Sequence, residues 1–88
     1  MSIASQKDEF DTLVAAIWAE LVSAQRKFPP FHSAHEGYAI LLEEVEELWA
    51  EVRSNQATPG RSDRMYAEAI QVAAMALRFA MDIPKCRN

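Results

Sequence analysis

Five glutamates fall within nine residues near the middle of this 88-residue chain, in the segment LEEVEELWAE at positions 42–51. Residues three, four and seven apart share one side of an α-helix, so helical geometry puts Glu44, Glu47 and Glu51 along one flank. Like charges at this spacing repel, and a divalent cation would remove the repulsion. Mg²⁺ prefers carboxylate oxygens. The segment is therefore either one wall of a Mg²⁺ site or a solvated acidic helix face.

A second polar group follows on an otherwise apolar segment, which carries no charge between positions 69 and 77. Its one polar stripe consists of Glu68, Gln71, Arg78 and Asp82. Charges on a buried helix need a partner or a metal. If Glu68 and Gln71 meet the flank that bears Glu44 and Glu47, two helices supply four oxygen ligands. In the alternative, the acids of this helix pair with Arg64 or Arg78 on a solvent-facing strip.

The segments that must position these residues show apolar side chains at helical spacing, at about 6–26, 33–53 and 63–82. Nothing alternates with a period of two over the length of a strand. Short connections between the segments predict an all-α fold, a three-helix up-down bundle. The 88 residues form one domain, 1–88, of a size that buries only about 60–65% of the unfolded surface. We therefore expect the protomer to complete a larger helical bundle by oligomerisation.

Local signals support these helix boundaries. Ser33 and Glu36 form a capping box, and Ser5 is placed similarly at the start of the first helix. The prolines at 29 and 30 end that helix, and the polar segment 54–63 predicts a loop. On the second helix we expect an apolar stripe to face the core, made of Tyr38, Leu41, Leu42, Val45, Leu48, Trp49 and Val52.

Composition excludes several classes of protein. The net charge of -4 and the absence of a basic run argue against binding to duplex nucleic acid. The single cysteine, Cys86, has no partner within the chain, which favours a reducing cytoplasm. No apolar run reaches about 18 residues, and the amino terminus lacks the order of a signal peptide. We expect a cytoplasmic protein without a membrane span.

The paired acidic motifs also resemble a known family. Glu43-Glu44-x-x-Glu47, followed after a loop by Glu68-x-x-Gln71, is similar to the signature of the MazG-like, all-alpha nucleoside triphosphate pyrophosphatase superfamily. That signature is Glu-Glu-x-x-Glu and then Glu-x-x-Asp. Members hydrolyse nucleoside triphosphates to monophosphate and pyrophosphate with Mg²⁺, and they typically form dimers or tetramers.

The resemblance implies roles for individual residues. Glu44, Glu47, Glu68 and Gln71 would bind Mg²⁺, or Mn²⁺ in its place. Glu43 or Glu47 would be catalytic, orienting the attacking water. Gln71 departs from the family's aspartate: its amide oxygen can bind a hard cation but brings no negative charge, so metal affinity should fall. Glu51, one turn beyond Glu47, is a candidate for the missing charge.

Lys27, Arg64 and Arg78 are the candidates for contact with the triphosphate. The leading hypothesis is a Mg²⁺-dependent nucleotide pyrophosphohydrolase that forms a homo-oligomer, a dimer or a tetramer. Gln71 and the short chain favour an alternative, a non-catalytic helical interaction module or a degenerate relative of the family. A third hypothesis is an acidic adaptor whose glutamates contact a basic protein.

Overall fold

The computed structural model describes residues 2–86 and contains no β-strand within that range. Three α-helices follow one another, and they are Ile3–Lys27 (α1), Ala34–Val52 (α2) and Arg61–Asp82 (α3). A short 3₁₀ turn at Ile83–Lys85 comes directly after α3. The predicted all-α fold with three helices is confirmed.

Serine caps begin the first two helices. The Ser2 hydroxyl accepts a hydrogen bond from the Ser5 amide at 3.1 Å, so α1 begins three residues before the predicted position 6. The Ser33 hydroxyl accepts from the Glu36 amide at 3.1 Å, as the capping box predicts. The Glu36 carboxylate accepts in return from the His32 amide at 3.3 Å, one residue before the cap. These bonds satisfy amides that have no partner inside a helix.

A left-handed glycine precedes α3. Gly60 has φ 77, and its carbonyl oxygen accepts from the Arg64 amide at 3.0 Å. The helix therefore begins at Arg61, two residues earlier than predicted, and it ends at Asp82 as predicted. Glycine adopts this conformation without the steric cost that a Cβ imposes.

α2 and α3 run antiparallel and are fastened at both ends. Near the start of α2, Gly37 lies against the ring of Phe79 near the end of α3. At the other end, the Glu51 carboxylate accepts a hydrogen bond from the Arg64 guanidinium at 3.0 Å. The missing side chain at Gly37 is what allows the close approach, because an added Cβ would lie 2.8 Å from the Phe79 ring.

α3 is the central helix, because it packs against both α1 and α2, which scarcely contact each other. α1 runs parallel to α3, since Ala16 and Ala19 lie beside Tyr66 and Ala67 while Ala24 lies beside Met75. The up-down order of the three helices is thus present. The bundle is open on the side between α1 and α2.

The core is small. Its buried centre is Ala24, Phe31 and Met75, surrounded by the partly buried side chains of Ile40, Leu41, Phe79 and Cys86. The expectation that the whole apolar stripe of α2 faces the core is wrong for the five exposed members of the stripe, which are Tyr38, Leu42, Val45, Trp49 and Val52. The reason is rotational, since α3 contacts the side of α2 that carries Gly37 and Leu41.

Within residues 2–86, none of the helices combines the length and the apolar character that crossing a bilayer requires.

Candidate metal centre

Three carboxylates from two helices meet between α2 and α3. Glu44 and Glu47 lie three residues apart on α2, and Glu68 projects from α3. Each contributes one carboxylate oxygen to a group in which all the oxygens lie within 4.8 Å of one another. The antiparallel packing of α2 on α3 therefore brings together three of the four acidic residues of the paired motifs, and Glu43 is the one outside the group.

Glu44 is partly buried in this cluster, and its surroundings oppose ionisation. The pKa of its carboxyl group is raised, first because burial disfavours the charged form. The negative charges of Glu47, Glu68 and Glu43 raise that pKa further, as does a hydrogen bond with Glu47. A cation placed here would reverse these effects, since it favours the ionised carboxylate.

The surroundings of Glu68, on α3, likewise oppose ionisation of its carboxyl group. Burial again comes first in raising the pKa of its carboxyl group, followed by the charge of Glu47, a hydrogen bond with Glu47 and the charge of Glu51. Its Oε2 atom is buried without a hydrogen-bond partner, the one such side-chain oxygen or nitrogen among the residues described. An unpartnered buried carboxylate oxygen is costly, and a ligand would offset that cost.

The donor set and its spacing suit a hard divalent cation. Mg²⁺ holds its oxygen ligands at about 2.0–2.1 Å, so two ligands of one ion can be at most about 4.2 Å apart. Only ligands on opposite sides of the ion reach that separation, and adjacent ligands are about 3 Å apart. The three oxygens, which lie within 4.8 Å of one another, would therefore move closer together by side-chain rotation to share one ion. The orphaned Oε2 of Glu68 is the further observation that favours a ligand here.

A cavity of about 370 Å³ adjoins the cluster. Glu44 is shared between the two, and Glu43, exposed on α2, also lines the cavity. The other walls are Phe28 and Pro29 from the α1–α2 connection, Glu36 and Ile40 from α2, and Met75 and Arg78 from α3. The cavity therefore combines apolar surface with carboxylates and opens directly beside the candidate metal ligands.

Gln71 and Glu51, the other two residues predicted to take part in the metal site, have different neighbours from those of the three clustered glutamates. Gln71 is half-buried and lines a groove between α1 and α3 together with Glu20 and Tyr66. The two oxygens of the Glu51 carboxylate share the single Nε–H of Arg64 in a bifurcated hydrogen bond, at 3.0 and 3.2 Å. The charge of Glu51 is thus already balanced by an arginine.

The three basic residues predicted to contact phosphate differ in their exposure and in the partners that they already have. Lys27 is exposed at the end of α1, whereas Arg64 is engaged by Glu51 and by the Pro59 carbonyl oxygen at 2.9 Å. Arg78 is buried, although it reaches the cavity beside Glu44. Among these three residues, Lys27 could contact a phosphate in solvent without first breaking a described ion pair, whereas Arg64 pairs with Glu51 and Arg78 with Asp82.

Arg78 belongs to a second charged group at the opposite end of α3. Its Nη2 donates to the Pro29 carbonyl oxygen at 2.7 Å, and its Nε lies 3.7 Å from the Asp82 carboxylate. The guanidinium stacks on the Phe31 ring at 4.1 Å, and Asp82 also accepts from the Phe31 amide at 3.1 Å. The alternative pairing of Asp82 with Arg78 therefore occurs, but in a buried setting rather than on a solvent-facing strip.

Sequence reasoning missed the apolar part of the cavity. Phe28, Ile40 and Met75 come from three separate segments, and only the packing of α3 across the start of α2 brings them together. The segment KFPPF at 27–31 carried a partial signal, because two aromatic residues around paired prolines are more than a helix stop requires.

Comparison with known proteins adds no relative: no family model, curated protein or solved structure matches this chain.

Proposed function

We propose that this protein is a Mg²⁺-dependent nucleotide pyrophosphohydrolase, which cleaves nucleoside triphosphates to monophosphate and pyrophosphate. The observation that carries the proposal is the meeting of Glu44, Glu47 and Glu68 from two helices, with carboxylate oxygens within 4.8 Å of one another. The resemblance of the two acidic motifs to the MazG-like superfamily agrees with this arrangement.

Glu44, Glu47 and Glu68 would hold the cation. Gln71 lines the groove between α1 and α3, so its side chain would have to turn toward α2 for its amide oxygen to become a further ligand. When bound, Mg²⁺ supplies a Lewis acid that neutralises phosphate charge. The buried Oε2 of Glu68 gains the partner that it lacks in the protein alone. Mn²⁺, which accepts the same oxygen ligands, is the expected substitute.

A water-orienting carboxylate would complete the site. Glu43 is exposed and lines the cavity next to Glu44, so it can accept a hydrogen bond from a water molecule there. Glu47 is the other candidate, although the cation would occupy at least one of its oxygens.

The cavity beside the cluster would take the nucleoside part of the substrate. Its volume of about 370 Å³ lies within the usual range of small-molecule sites. The exposed ring of Phe28 offers a stacking surface to a base, with Ile40 and Met75 as apolar walls. Lys27, Arg64 and Arg78 remain the candidates for phosphate contact, and Arg64 would have to leave Glu51 to serve.

The proposal extends to assembly and location. We infer a homo-oligomer, a dimer or a tetramer, from the small core of the protomer. We infer a cytoplasmic location from the single cysteine.

The test is pyrophosphate release from a panel of ordinary and modified nucleoside triphosphates with Mg²⁺. Glu47→Gln should lower release by about 100-fold or more, because it removes a charged metal ligand without changing side-chain size. Glu46→Gln is the matched control, since Glu46 is exposed on the same helix and lies outside the cluster. Equal loss in both variants, or no release from any substrate, would reject the proposal.

A second function has specific support. Gln71 supplies no charge where the family has an aspartate, and α2 exposes five large apolar side chains that could meet another protein. Both features favour a non-catalytic helical interaction module. Absence of turnover together with retained Mg²⁺-independent binding of a protein partner would favour that function over the enzyme.

A further inference from the structure

An exposed apolar seam runs the length of α2. Its members are spaced four, three, four and three residues apart, and each is between 37% and 59% exposed: Tyr38, Leu42, Val45, Trp49 and Val52. This alternation keeps all five on one face of the helix. The α2 seam is therefore a continuous apolar stripe without cover in the described chain.

The spacing of the α2 seam is the one that a second helix requires. A repeat averaging 3.5 residues keeps side chains turned toward a partner helix along its whole length. α3 does not fill this role, because it contacts Gly37 and Glu44 on another side of α2. Those two positions lie about 80° and 100° around the helix from Val45, at about 100° per residue.

The surface area of the chain indicates how much cover is missing. The protein exposes 6390 Å², whereas a folded monomer of 9.9 kDa is expected to expose about 5,200 Å². The excess of about 1,200 Å² exceeds the roughly 800 Å² that each partner buries in a standard protein interface. The radius of gyration, 15.0 Å, is likewise above the roughly 12 Å of a compact domain of this length.

The same chain also carries an apolar helix face able to supply that cover. On α1, Phe10, Val14 and Trp18 are exposed by 45–61% and lie four residues apart, so they share one side of the helix. A twofold pair of chains can place the α1 face of each copy on the α2 seam of the other, which covers both surfaces in one closed interface. A single foreign helix would cover only one of the two surfaces.

We propose that the α2 seam is the surface on which a second copy of this chain docks. The dimer would gain the apolar contacts that the protomer lacks, since within residues 2–86 no large side chain is less than 2% exposed. This proposal names the interface of the inferred homo-oligomer, and it does not depend on hydrolysis. A chain that releases no pyrophosphate can still form the dimer.

The test is the solution mass of the full-length protein, measured by sedimentation equilibrium with reducing agent present to keep Cys86 from forming a disulfide. The wild-type protein should have at least twice the protomer mass of 9.9 kDa. Val45→Glu should weaken association about 100-fold or more by placing a charge in the seam. Ala50→Glu is the matched control, because Ala50 is exposed on the same helix about 140° away from Val45.

A measurement on the wild-type protein covers the case in which Val45→Glu fails to fold. The thermal midpoint of a dimer rises with protein concentration, whereas that of a monomer does not. A constant midpoint with a protomer mass would overturn the proposal and leave the α2 seam to a different protein. An oligomer that tolerates Val45→Glu as well as it tolerates Ala50→Glu would overturn it too, because the interface would then lie elsewhere.

Discussion

α3 carries charged side chains toward both of its ends, and their surroundings differ. Near its carboxyl end, buried Arg78 has Asp82, the Pro29 carbonyl oxygen and the Phe31 ring as partners. Near its amino end, Glu68 lies beside the carboxyl groups of Glu47 and Glu51 with no basic partner in the described chain, and its Oε2 atom has no hydrogen-bond partner there.

This difference separates a structural ion pair from the carboxylate cluster that we propose as a metal site. Burial and a nearby carboxylate are common to both groups, so neither property distinguishes them. What distinguishes them is whether opposite charge and hydrogen-bond partners are already supplied by the protein. The Arg78 group needs nothing further, whereas the Glu68 group would be completed by the cation that we propose or by a proton on one of its carboxyl groups.

The largest expected effect comes from breaking the completed group. Asp82→Ala leaves the Arg78 guanidinium buried without its counter-ion and removes the acceptor for the Phe31 amide. The free energy of unfolding should fall by about 3–5 kcal/mol, measured by urea denaturation followed by circular dichroism. Asp11→Ala is the control, since it breaks an exposed pair with Lys7 and should cost under about 1 kcal/mol. Equal losses of stability in Asp82→Ala and Asp11→Ala would show that the buried pair contributes no more than an exposed one.

A smaller loss is expected when the packing beside Arg78 is disturbed. In Gly37→Ala the new Cβ would lie 2.9 Å from the Phe31 ring and 2.8 Å from the Phe79 ring. Overpacking of this kind costs about 1–3 kcal/mol, which outweighs the roughly 1 kcal/mol that alanine gains in helix propensity. Urea denaturation should therefore show a net loss of stability. A net gain would mean that both rings move aside freely.

The incomplete group should respond to a cation. Mg²⁺ at ten times its Kd should raise the free energy of unfolding by about 1.4 kcal/mol, and Glu68→Gln should abolish most of that rise. Thermal unfolding with and without Mg²⁺ measures the effect. Glu46→Gln, on an exposed part of α2, should keep the full response. A response to Mg²⁺ that survives Glu68→Gln would locate the ion elsewhere.

The smallest effect concerns pH in the absence of metal. Because the pKa values of Glu44 and Glu68 are raised in the folded protein, the folded state binds more protons than the unfolded state above about pH 4.5. These two groups therefore lower stability as pH rises through their raised pKa values. Glu44→Gln should be more stable than the wild type at neutral pH by about 0.3–1 kcal/mol.

The pH dependence gives this last prediction its control. The gain in stability from Glu44→Gln should shrink as the pH falls toward 4. The wild-type carboxyl group is then protonated and, like the amide of glutamine, carries no charge. Urea denaturation at several pH values would show the trend. An advantage that does not change with pH would point to an effect of side-chain packing instead of charge.

Much of the fold could be predicted from local sequence signals. The capping box at Ser33, the prolines at 29 and 30 and the end of α3 at Asp82 each depend on a few neighbouring residues. The sequence did not predict the early start of α1, because both Ser2 and Ser5 can act as the capping residue. Helix ends are also the part of a helix that local sequence signals define least well.

Residue spacing predicts the candidate site one helix at a time, whereas the meeting of the two helices was expected only from the family resemblance. The spacing of Glu44 and Glu47 on α2 follows from helical geometry, and so does the single charge of Glu68 on an apolar stretch. The direction of the α2 seam did not follow, because periodicity shows that a face is apolar but does not say which neighbour covers it. The pairing of Glu51 with Arg64 depends on the path of the loop between their helices.

The two fastenings of α2 to α3 affect how the acidic cluster can move. Gly37 holds one end of α2 and Glu51 holds the other, so Glu44 and Glu47 lie on a span that is supported at both ends. These contacts oppose a change in the distance between the backbones of Glu44 and Glu68, so adjustment to a cation would come from rotation of the glutamate side chains. Discrimination between a small cation and a larger one would then depend on which rotamers the three glutamate side chains can adopt on two helices of fixed spacing.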